Sequence, residues 1–262
     1  EQWYLDKIHA DEACGQTVGS RDIIVAVLDG GIDINHEDLA ANIYTNAYEH
    51  TGKVGVDDDG NDFVDDIHGW DFYDGDSFVS PASGNNIGTQ HGTLVAGLIG
   101  AVGNNGLGIS GVNWKVSILP IRVLNSDGDG SVTSVVQGID YAIKMGASVI
   151  NLSFVGAQTS ALLNDAIRRA HSAGVVVVAA LGNTPGGRDV DVSPVYPACT
   201  AGVNGENVVI GVTSLDKNDE RAYQSNYGKT CADLAAPGVG IFSTQVTGVA
   251  SQYGGGWSGT SL

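Results

Sequence analysis

Short runs of β-branched and aliphatic residues recur along the chain, and segments with helical periodicity separate them. The runs are almost continuously apolar, which is typical of strands that are buried on both faces of a parallel sheet. A strand exposed on one face would instead alternate apolar and polar residues. The predicted strands are residues 23–28, 117–123, 148–152, 175–180 and 208–213.

Two of the intervening segments place apolar residues on one face of a helix. In residues 131–146 the apolar positions recur every three or four residues, and Gly146 is suited to end the helix. Residues 160–174 repeat the pattern, with Ser160 as the expected N-cap and Gly174 beyond the end. The alternation predicts an α/β fold, a doubly wound, mostly parallel β-sheet with helices on both faces. In such a fold the ligand site lies at the carboxyl ends of the strands.

The composition excludes some classes of partner. The chain has 262 residues, enough for one α/β domain or for two small domains. Its formal net charge of −18 argues against a nucleic-acid partner, because phosphate binding needs a basic surface. The excess of acid has two explanations, a well-solvated surface or carboxylates gathered around cations such as calcium. No apolar run is long enough to cross a bilayer.

Residues 50–86 are rich in Asp and Gly and have little core pattern, so we predict an insertion loop within the domain. Its segment DDDGNDFVDD places side-chain oxygens at alternating positions, a spacing that lets them converge on one hard cation such as Ca²⁺. A solvated acidic turn without a metal is the alternative. The candidate ligands are Asp57, Asp59, Asn61 and Asp66, with Asp65 as an alternative to Asp66 and the Phe63 carbonyl as a further ligand.

Three residues with catalytic potential stand at the boundaries of predicted elements. Asp29 ends the first strand in VAVLDGGID, His91 opens a helical pattern in QHGTLVAGLIG, and Ser261 follows a glycine turn in SGTSL. Taken alone, each has a structural explanation, such as a helix cap or a turn residue. Their order along an α/β chain, Asp then His then Ser, is that of the subtilisin triad.

The segments DGGID, HGTLVAG and SGTS resemble the three signature segments of the subtilisin-like serine proteases, also called subtilases or peptidase family S8. The resemblance extends over essentially the whole chain and implies a subtilisin-like fold, with residues 1–262 as a catalytic domain whose C-terminal part is missing. It implies that Ser261 is the nucleophile and His91 its general base. Asp29 would orient the imidazole and stabilise its cation.

A fourth segment, VVVVAALGN, aligns Asn183 with the asparagine of the family's oxyanion hole. Loss of such a donor lowers kcat by about 10²- to 10³-fold in subtilisin. Two more segments resemble those that pair with an extended substrate, which would bind by strand addition. Bulky residues at Phe154-Val155 and Leu181 replace smaller ones common in the family, so a narrowed first pocket is expected. The implied substrate contacts are Asp127, Gly128, Asp129, Gly130, Ser153, Phe154, Val155, Gly156, Ala180 and Gly182.

The resemblance also implies a second calcium site, which would join the start of the chain to the loop after the His91 helix. Its ligands would be the side chains of Gln2, Asp38 and Asn104 and the carbonyl groups of Val102, Gly106 and Gly108. Cys199 and Cys231 flank regions that lie near one another in subtilases, so a disulfide is an expectation from the family, with unpaired thiols as the alternative. Cys14 would remain free.

In subtilases the nucleophilic serine opens a long buried helix, whereas this sequence ends one residue after Ser261. The parent polypeptide is therefore expected to be an active endopeptidase, and the 262-residue chain alone to be inactive and poorly stable. The resemblance further implies an extracellular monomer that has a pro-segment, acts on proteins or peptides, and has no nucleic-acid partner or membrane span. A non-catalytic peptide-binding homologue and a calcium-dependent structural module are the alternatives.

Overall fold

The computed structural model describes residues 2–82, 84, 86–248 and 251–262, and within them it contains six α-helices and nine β-strands. The helices are α1 (Trp3–Lys7), α2 (Ala10–Cys14), α3 (Ala47–Thr51), α4 (Ile87–Gly100), α5 (Val132–Lys144) and α6 (Ala161–Ser172). The strands are β1 (Gly19–Asp29), β2 (Trp70–Asp71), β3 (Lys115–Arg122), β4 (Val149–Leu152), β5 (Val176–Ala180), β6 (Ile210–Leu215), β7 (Leu234–Pro237), β8 (Val239–Thr244) and β9 (Tyr253–Ser258).

Seven strands form one sheet in the order β2-β3-β1-β4-β5-β6-β7, and every neighbouring pair is parallel. All five predicted strands lie in this sheet, as β1, β3, β4, β5 and β6, with ends shifted by a few residues. β8 and β9 form a separate antiparallel hairpin. The predicted α/β fold with a mostly parallel sheet is therefore confirmed.

Alternate residues of β1 divide the hydrophobic core into two layers. Ala26 and Leu28 belong to the cluster that contains the buried residues of α5 and α6. Val25 and Val27 belong to the other cluster, together with residues of α4. Because successive side chains of a strand point to opposite faces, α4 covers one face of the sheet and α5 and α6 cover the other.

The three long helices begin at polar caps and the last two end at glycines. The side chains of Asn86, Ser131 and Ser160 accept backbone N–H bonds at the start of α4, α5 and α6, as the sequence predicts for Ser160. Gly146 and Gly174 follow α5 and α6 with φ of 74° and 80°, a left-handed conformation that favours glycine. Across the described part of the chain, no helix has both the length and the apolar character to span a membrane.

A buried cation fixes residues 50–86 to the edge of the sheet. The Arg122 guanidinium, which ends β3, donates to Asp71 and, at 2.6 Å, to Asp74. Arg122 is 6% exposed and its guanidinium lies 5.4 Å from the ring centre of Tyr73. β2 pairs with β3 at the same place. This ion pair therefore anchors the second half of the insertion.

Cys199 and Cys231 form a disulfide, with their Cα atoms 5.0 Å apart. Cys199 lies between β5 and β6, and Cys231 lies between β6 and β7. Cys14 is a free thiol. The bridge therefore joins the two loops on either side of β6.

Candidate active site

The candidate catalytic residues lie at the carboxyl ends of neighbouring strands. Asp29 ends β1, Ser153 directly follows β4, and Asn183 lies shortly after β5. β1 pairs with β4 and β4 with β5, so these ends meet at one edge of the sheet. The strand order also reverses here, because β3 and β4 lie on opposite sides of β1. A crevice at such a reversal is the usual ligand site of an open α/β sheet.

His91 lies in α4 with its ring against Asp29. The Nδ1 atom is 2.8 Å from Asp29 Oδ2, and Asp29 is only 1% exposed. The other carboxylate oxygen accepts the N–H of Gly30 at 2.8 Å. The helix approaches this closely because Gly92 has no side chain, since a β-carbon there would lie 2.2 Å from the Gly31 carbonyl oxygen. The structure thus brings two of the three predicted triad residues into contact.

The environment of His91 shifts its titration. Burial lowers the pKa of the imidazole, but the Asp29 charge and the hydrogen bond to Asp29 together raise it more, so the pKa lies above its ordinary value. When Nδ1–H donates to a carboxylate, Nε2 carries the free electron pair. When His91 is neutral, this contact places its proton on Nδ1 and leaves Nε2 able to accept another.

The side chain of Ser261 is bonded to the backbone of Ser153. Ser261 Oγ donates to the Ser153 carbonyl at 3.1 Å, and Ser153 Oγ donates to the Ser261 carbonyl at 3.1 Å. Among the residues that the structure describes, no hydrogen bond joins Ser261 to His91. Ser261 therefore lies at the same carboxyl ends of the strands as Asp29 and His91. Its hydroxyl donates to the Ser153 carbonyl instead of to His91.

Asn183 is attached to the segment that carries Ser261. Its Oδ1 accepts the N–H of Thr260 at 3.0 Å, and Thr260 Oγ1 accepts the N–H of Gly182 at 2.9 Å. Asn183 is exposed, so its amide faces the crevice rather than the core. Because Oδ1 is already engaged, Nδ2 is the end of the amide that is available to donate to a ligand oxygen.

The β8–β9 hairpin connects the helix of His91 with Ser261. The hydroxyls of Ser243 and Thr244 donate to carbonyl oxygens of Leu94 and Thr93 in α4, at 2.8 and 2.7 Å. Ser243 and Thr244 are fully buried. β9 is followed directly by residues 259–262, which include Ser261. One hairpin therefore contacts both catalytic segments.

Eight of the ten predicted substrate contacts form two backbone segments, residues 127–130 and 153–156, and residues 128–130 and 154–156 line a cavity of about 200 Å³ between them. Residues 127–130 lie in an exposed turn, which the Asn125 side chain holds by accepting two backbone N–H groups at 2.9 Å. Residues 153–156 form the other side. Within the described residues, the backbone groups of Phe154 and Val155 make no backbone hydrogen bond outside regular elements. These groups are free to pair with an extended peptide.

A second cavity, of about 130 Å³, lies between Ser261 and α4. Ala180 at the end of β5 lines it, and so do Leu98 and Leu262. Most of its lining is apolar, which distinguishes it from the polar crevice above the strand ends. Ala180 thus faces this cavity rather than the groove between the two substrate segments.

The acidic insertion gathers three carboxylates. Oxygens of Glu49, Asp57 and Asp59 all lie within 4.8 Å of one another. Ligands of one Ca²⁺ lie about 2.3–2.6 Å from the ion, so oxygens up to about 5 Å apart fit a shared cation. Desolvation acts to raise the pKa of Asp57, but hydrogen bonds from the backbone N–H groups of residues 60–62 outweigh it and lower the pKa below its ordinary value. The carboxylate therefore stays charged. The donor set fits a hard cation.

The other two predicted ligands of this loop occupy a neighbouring buried network. Asn61 Nδ2 donates to Asp59 at 3.1 Å and to Asp66 at 2.8 Å. Asp66 is fully buried and also accepts from the Tyr141 hydroxyl at 2.6 Å. Burial raises the pKa of Asp66, and the hydrogen bonds from Tyr141, Asn61 and Asn46 oppose that shift. Asp66 therefore faces the core beside the carboxylate cluster.

The predicted second calcium site is only partly assembled. Gln2 holds the loop after α4 through both backbone groups of Ser110, at 2.7 and 3.0 Å. Asp38 accepts from the Asn105 side chain at 2.6 Å. Asn104 is exposed, with φ of 58°. The structure thus joins the start of the chain to this loop, but it brings the amide of Asn105 rather than that of Asn104 to Asp38.

Two residues of these sites were not singled out by sequence. Glu49 contributes to the carboxylate cluster from α3, outside the Asp-rich motif, so no local spacing indicates it. Gln90, beside His91, is buried, and its Oε1 accepts the N–H of Val246 at 2.8 Å. The sequence does not show that Gln90 is buried or that it contacts Val246, so nothing in the sequence alone marks this glutamine as part of the site.

Comparison with known proteins relates the chain to one family. The subtilase family model matches residues 20–262. The chain is 38% identical to thermitase of Thermoactinomyces vulgaris over 261 residues, which cover 100% of this chain and 77% of thermitase. It is 33% identical over 258 residues to subtilisin-like protease 1 of Plasmodium vivax, covering 93% of this chain and 40% of that protein.

The fold has a counterpart among solved structures. The crystal structure of a cold adapted subtilisin-like serine proteinase matches with a TM-score of 0.67 and 30% sequence identity. The match covers 91% of this chain and 70% of that chain. The sequence and structure comparisons therefore agree on the family, and the chain spans less than half of the Plasmodium relative.

Proposed function

Because the chain belongs to the subtilase family of serine proteases, we propose that it carries the catalytic centre of an endopeptidase that cleaves peptide bonds through an acyl-enzyme. Ser261 Oγ attacks the scissile carbonyl, and His91 Nε2 takes the hydroxyl proton and returns it to the leaving amine. Asp29 stabilises the imidazolium. Asn183 Nδ2 donates to the oxyanion of the tetrahedral intermediate.

The contact between buried Asp29 and His91 Nδ1, at 2.8 Å, is the observation that carries this proposal. A carboxylate buried at a strand end is costly unless it is paired, and here its partner is an imidazole whose other nitrogen is free. The exposed Asn183 amide and Ser261 lie in the same group of strand ends. A peptide-binding module would need neither the buried Asp29–His91 contact nor a hydroxyl at the same strand ends.

The Ser261 hydroxyl points to the Ser153 carbonyl, and we call this the resting arrangement of the nucleophile. Before attack, Ser261 Oγ must leave the Ser153 carbonyl and turn toward His91 Nε2. We propose that the 262-residue chain alone cleaves peptides slowly or not at all, because this arrangement is its ground state. A version extended past Leu262 by a helical segment is the comparison, with casein cleavage as the assay. Robust turnover by the 262-residue chain would contradict the resting arrangement.

A fluorophosphonate probe tests the proposed function directly. We expect the probe to phosphonylate Ser261 in the polypeptide expressed from the complete gene, because only an activated hydroxyl reacts. Mass spectrometry of the labelled peptide identifies the residue. Ser261→Ala should abolish labelling, whereas Ser172→Ala, at an exposed serine on α6, should leave it unchanged. Absence of labelling in the parent protein would refute the endopeptidase proposal.

We also propose that Glu49, Asp57 and Asp59 bind one structural Ca²⁺, in keeping with the calcium predicted for the insertion. Three carboxylates this close repel one another, and a divalent cation removes that repulsion. A second ion would bind at Asp38 and Gln2, where the chain start meets the loop after α4. Both ions would stabilise the fold without taking part in the chemistry.

Calcium binding at the insertion predicts a loss of one bound ion in the double variant Asp57→Asn/Asp59→Asn. Equilibrium dialysis measures the stoichiometry, and thermal unfolding with and without a chelator measures the linked stability. At a hundredfold excess over Kd, one ion stabilises the fold by about 2.7 kcal/mol. Asp11→Asn/Glu12→Gln removes two exposed charges from α2 and serves as the matched control. An unchanged stoichiometry in the first variant would rule out this site.

The remaining proposals concern the environment of the enzyme. We propose an extracellular monomer that acts on proteins or peptides after removal of an N-terminal pro-segment. The high negative charge supports a well-solvated surface and opposes nucleic-acid binding. The disulfide between Cys199 and Cys231 supports an oxidising compartment.

A further inference from the structure

Gln90 is buried beside His91, and its side chain extends from α4 to the β8–β9 hairpin. Gln90 is 1% exposed, and its Oε1 accepts the N–H of Val246 at 2.8 Å. Its Nε2 donates to the Gly84 carbonyl over a longer 3.5 Å. A buried amide is costly unless its polar atoms are paired, so these contacts fix the direction of the side chain. The neighbour of His91 is therefore bonded to a segment 156 positions further along the chain.

Thr247, the next residue of the hairpin, is bonded to Asp33. Asp33 Oδ2 accepts the N–H of Thr247 at 2.8 Å and its hydroxyl at 2.6 Å. Asp33 is 6% exposed and lies four residues after Asp29, where β1 ends. A side chain positions a neighbouring element only if the partner at its far end is itself held, and Asp33 supplies this second anchor. Val246 is therefore held in place when Gln90 contacts it.

A third contact returns from Asp33 to α4 and closes a ring of hydrogen bonds. The N–H of Asp33 donates to Thr93 Oγ1 at 3.0 Å, and Thr93 is fully buried. The ring runs from Gln90 through the hairpin to Asp33 and back to Thr93, and the α4 backbone that completes it includes His91. His91 thus lies between two bonded residues near the start of the helix, where fraying begins because the first N–H groups have no intrahelical partner.

We propose that Gln90 is a positioning residue, which closes this ring and so holds the imidazole of His91 against Asp29. The inference rests on the proposed endopeptidase function, in which Asp29 orients His91 for proton transfer from Ser261. Without the Gln90 contact the ring opens, and within it only Thr93 still ties α4 to the residues around it. The 2.8 Å contact between His91 and Asp29 then becomes looser, and even a small misplacement of a catalytic group lowers the rate.

The position of His91 has a measurable signature in the pH dependence of the reaction. Burial lowers the pKa of His91, whereas the charge of Asp29 and the hydrogen bond to Asp29 together raise the pKa above its ordinary value. A looser contact weakens the raising effect while the burial remains, so the pKa should fall. Because the neutral imidazole is the base, the acid limb of the kcat/KM profile should then move to lower pH. A smaller fraction of folded enzyme would lower the rate without moving this limb.

The variants Gln90→Met and Gln90→Glu, made in the polypeptide expressed from the complete gene, test this role. Methionine keeps the length of the side chain but has no oxygen to accept the Val246 N–H. We expect its kcat on a chromogenic peptide p-nitroanilide to fall about tenfold, the effect of one hydrogen bond, with KM little changed and the acid limb moved to lower pH. Glutamate keeps an acceptor oxygen in either ionisation state, so kcat should stay within about threefold of the parent rate and the acid limb should not move to lower pH. Gln90→Asn, one methylene shorter, repeats the test should the methionine variant fail to fold.

The control is Gln137→Met, because Gln137 is exposed on α5 and lies outside the ring. This variant should keep the kcat and the pH profile of the parent protein. Fluorophosphonate labelling of Ser261 separates the two proposals. If the parent protein is labelled but Gln90→Met keeps its kcat, or loses kcat with an unmoved acid limb, the positioning role is refuted while the endopeptidase function stands. If the parent protein is not labelled, both are refuted.

Discussion

Replacing His91 with alanine is expected to lower kcat for a peptide substrate by about four to six orders of magnitude, because the serine hydroxyl then has no base. Asp29→Asn should lower kcat by about 10⁴-fold, since the asparagine no longer holds the tautomer that leaves Nε2 free. In both variants KM should change little, because neither side chain lies in the substrate segments. Steady-state kinetics on a chromogenic peptide p-nitroanilide measures both parameters.

The matched control for the histidine is His171→Ala, an exposed residue of α6 beside the amino ends of β5 and β6, at the other end of the strands from the catalytic candidates. It should retain the parent kcat. Circular dichroism on each variant confirms that the fold is kept, so that lost activity is assigned to the chemistry. A His91→Ala enzyme within tenfold of the parent rate would mean that Ser261 is activated by another group, and the triad assignment would fail.

Removing the carboxylate of Asp71 is expected to lower the free energy of unfolding by about 3–5 kcal/mol, because it leaves the buried Arg122 charge with one exposed partner. Burial raises the pKa of Asp71 above its ordinary value, against the N–H of Asp74 and the charge of Arg122. Burial acts to lower the pKa of Arg122, but the hydrogen bonds and charges of Asp74 and Asp71 raise it above its ordinary value. Removing one partner leaves a desolvated charge, which costs more than the intact pair contributes. Asp71→Ala, measured by urea unfolding, is the first variant.

The double variant Asp71→Leu/Arg122→Met tests whether the unpaired Arg122 charge is what destabilises Asp71→Ala. Because it removes both charges and keeps apolar volume, it should be more stable than Asp71→Ala. Asp74→Ala should cost less than about 1 kcal/mol, since the Asp74 side chain is 53% exposed. A double variant less stable than Asp71→Ala would show that the ion pair is a net source of stability.

The sequence predicts the sheet well where strands are buried on both faces. The apolar runs that became β1, β3, β4, β5 and β6 have no polar alternation, and burial between two helical layers requires none. β9 could not be predicted in the same way, because its segment YGGGWS has little strand propensity. Its pairing with β8 depends on contacts between Ser243, Thr244 and α4, which are remote in sequence.

Some residues of the site, like the buried strands, could be predicted from the local sequence, whereas others depend on contacts between remote parts of the chain. Asp29 stands out in the sequence because it ends a strand and His91 because it lies early in a helix, and element ends converge at the strand ends of an α/β sheet. Asn183 was indicated by the resemblance to the subtilases. Asn104 and Asn105 are adjacent amides, and sequence cannot tell which one turns inward. The positive φ of Asn104 directs the chain so that Asn105 reaches Asp38.

The β8–β9 hairpin has a dynamic consequence. Since its first strand is bonded to α4 and its second strand continues to Ser261, the imidazole and the hydroxyl belong to one mechanical unit. Both groups are also bonded to the carboxyl ends of the strands, His91 to Asp29 and Ser261 to Ser153, so a shift of α4 against the sheet would strain both contacts together.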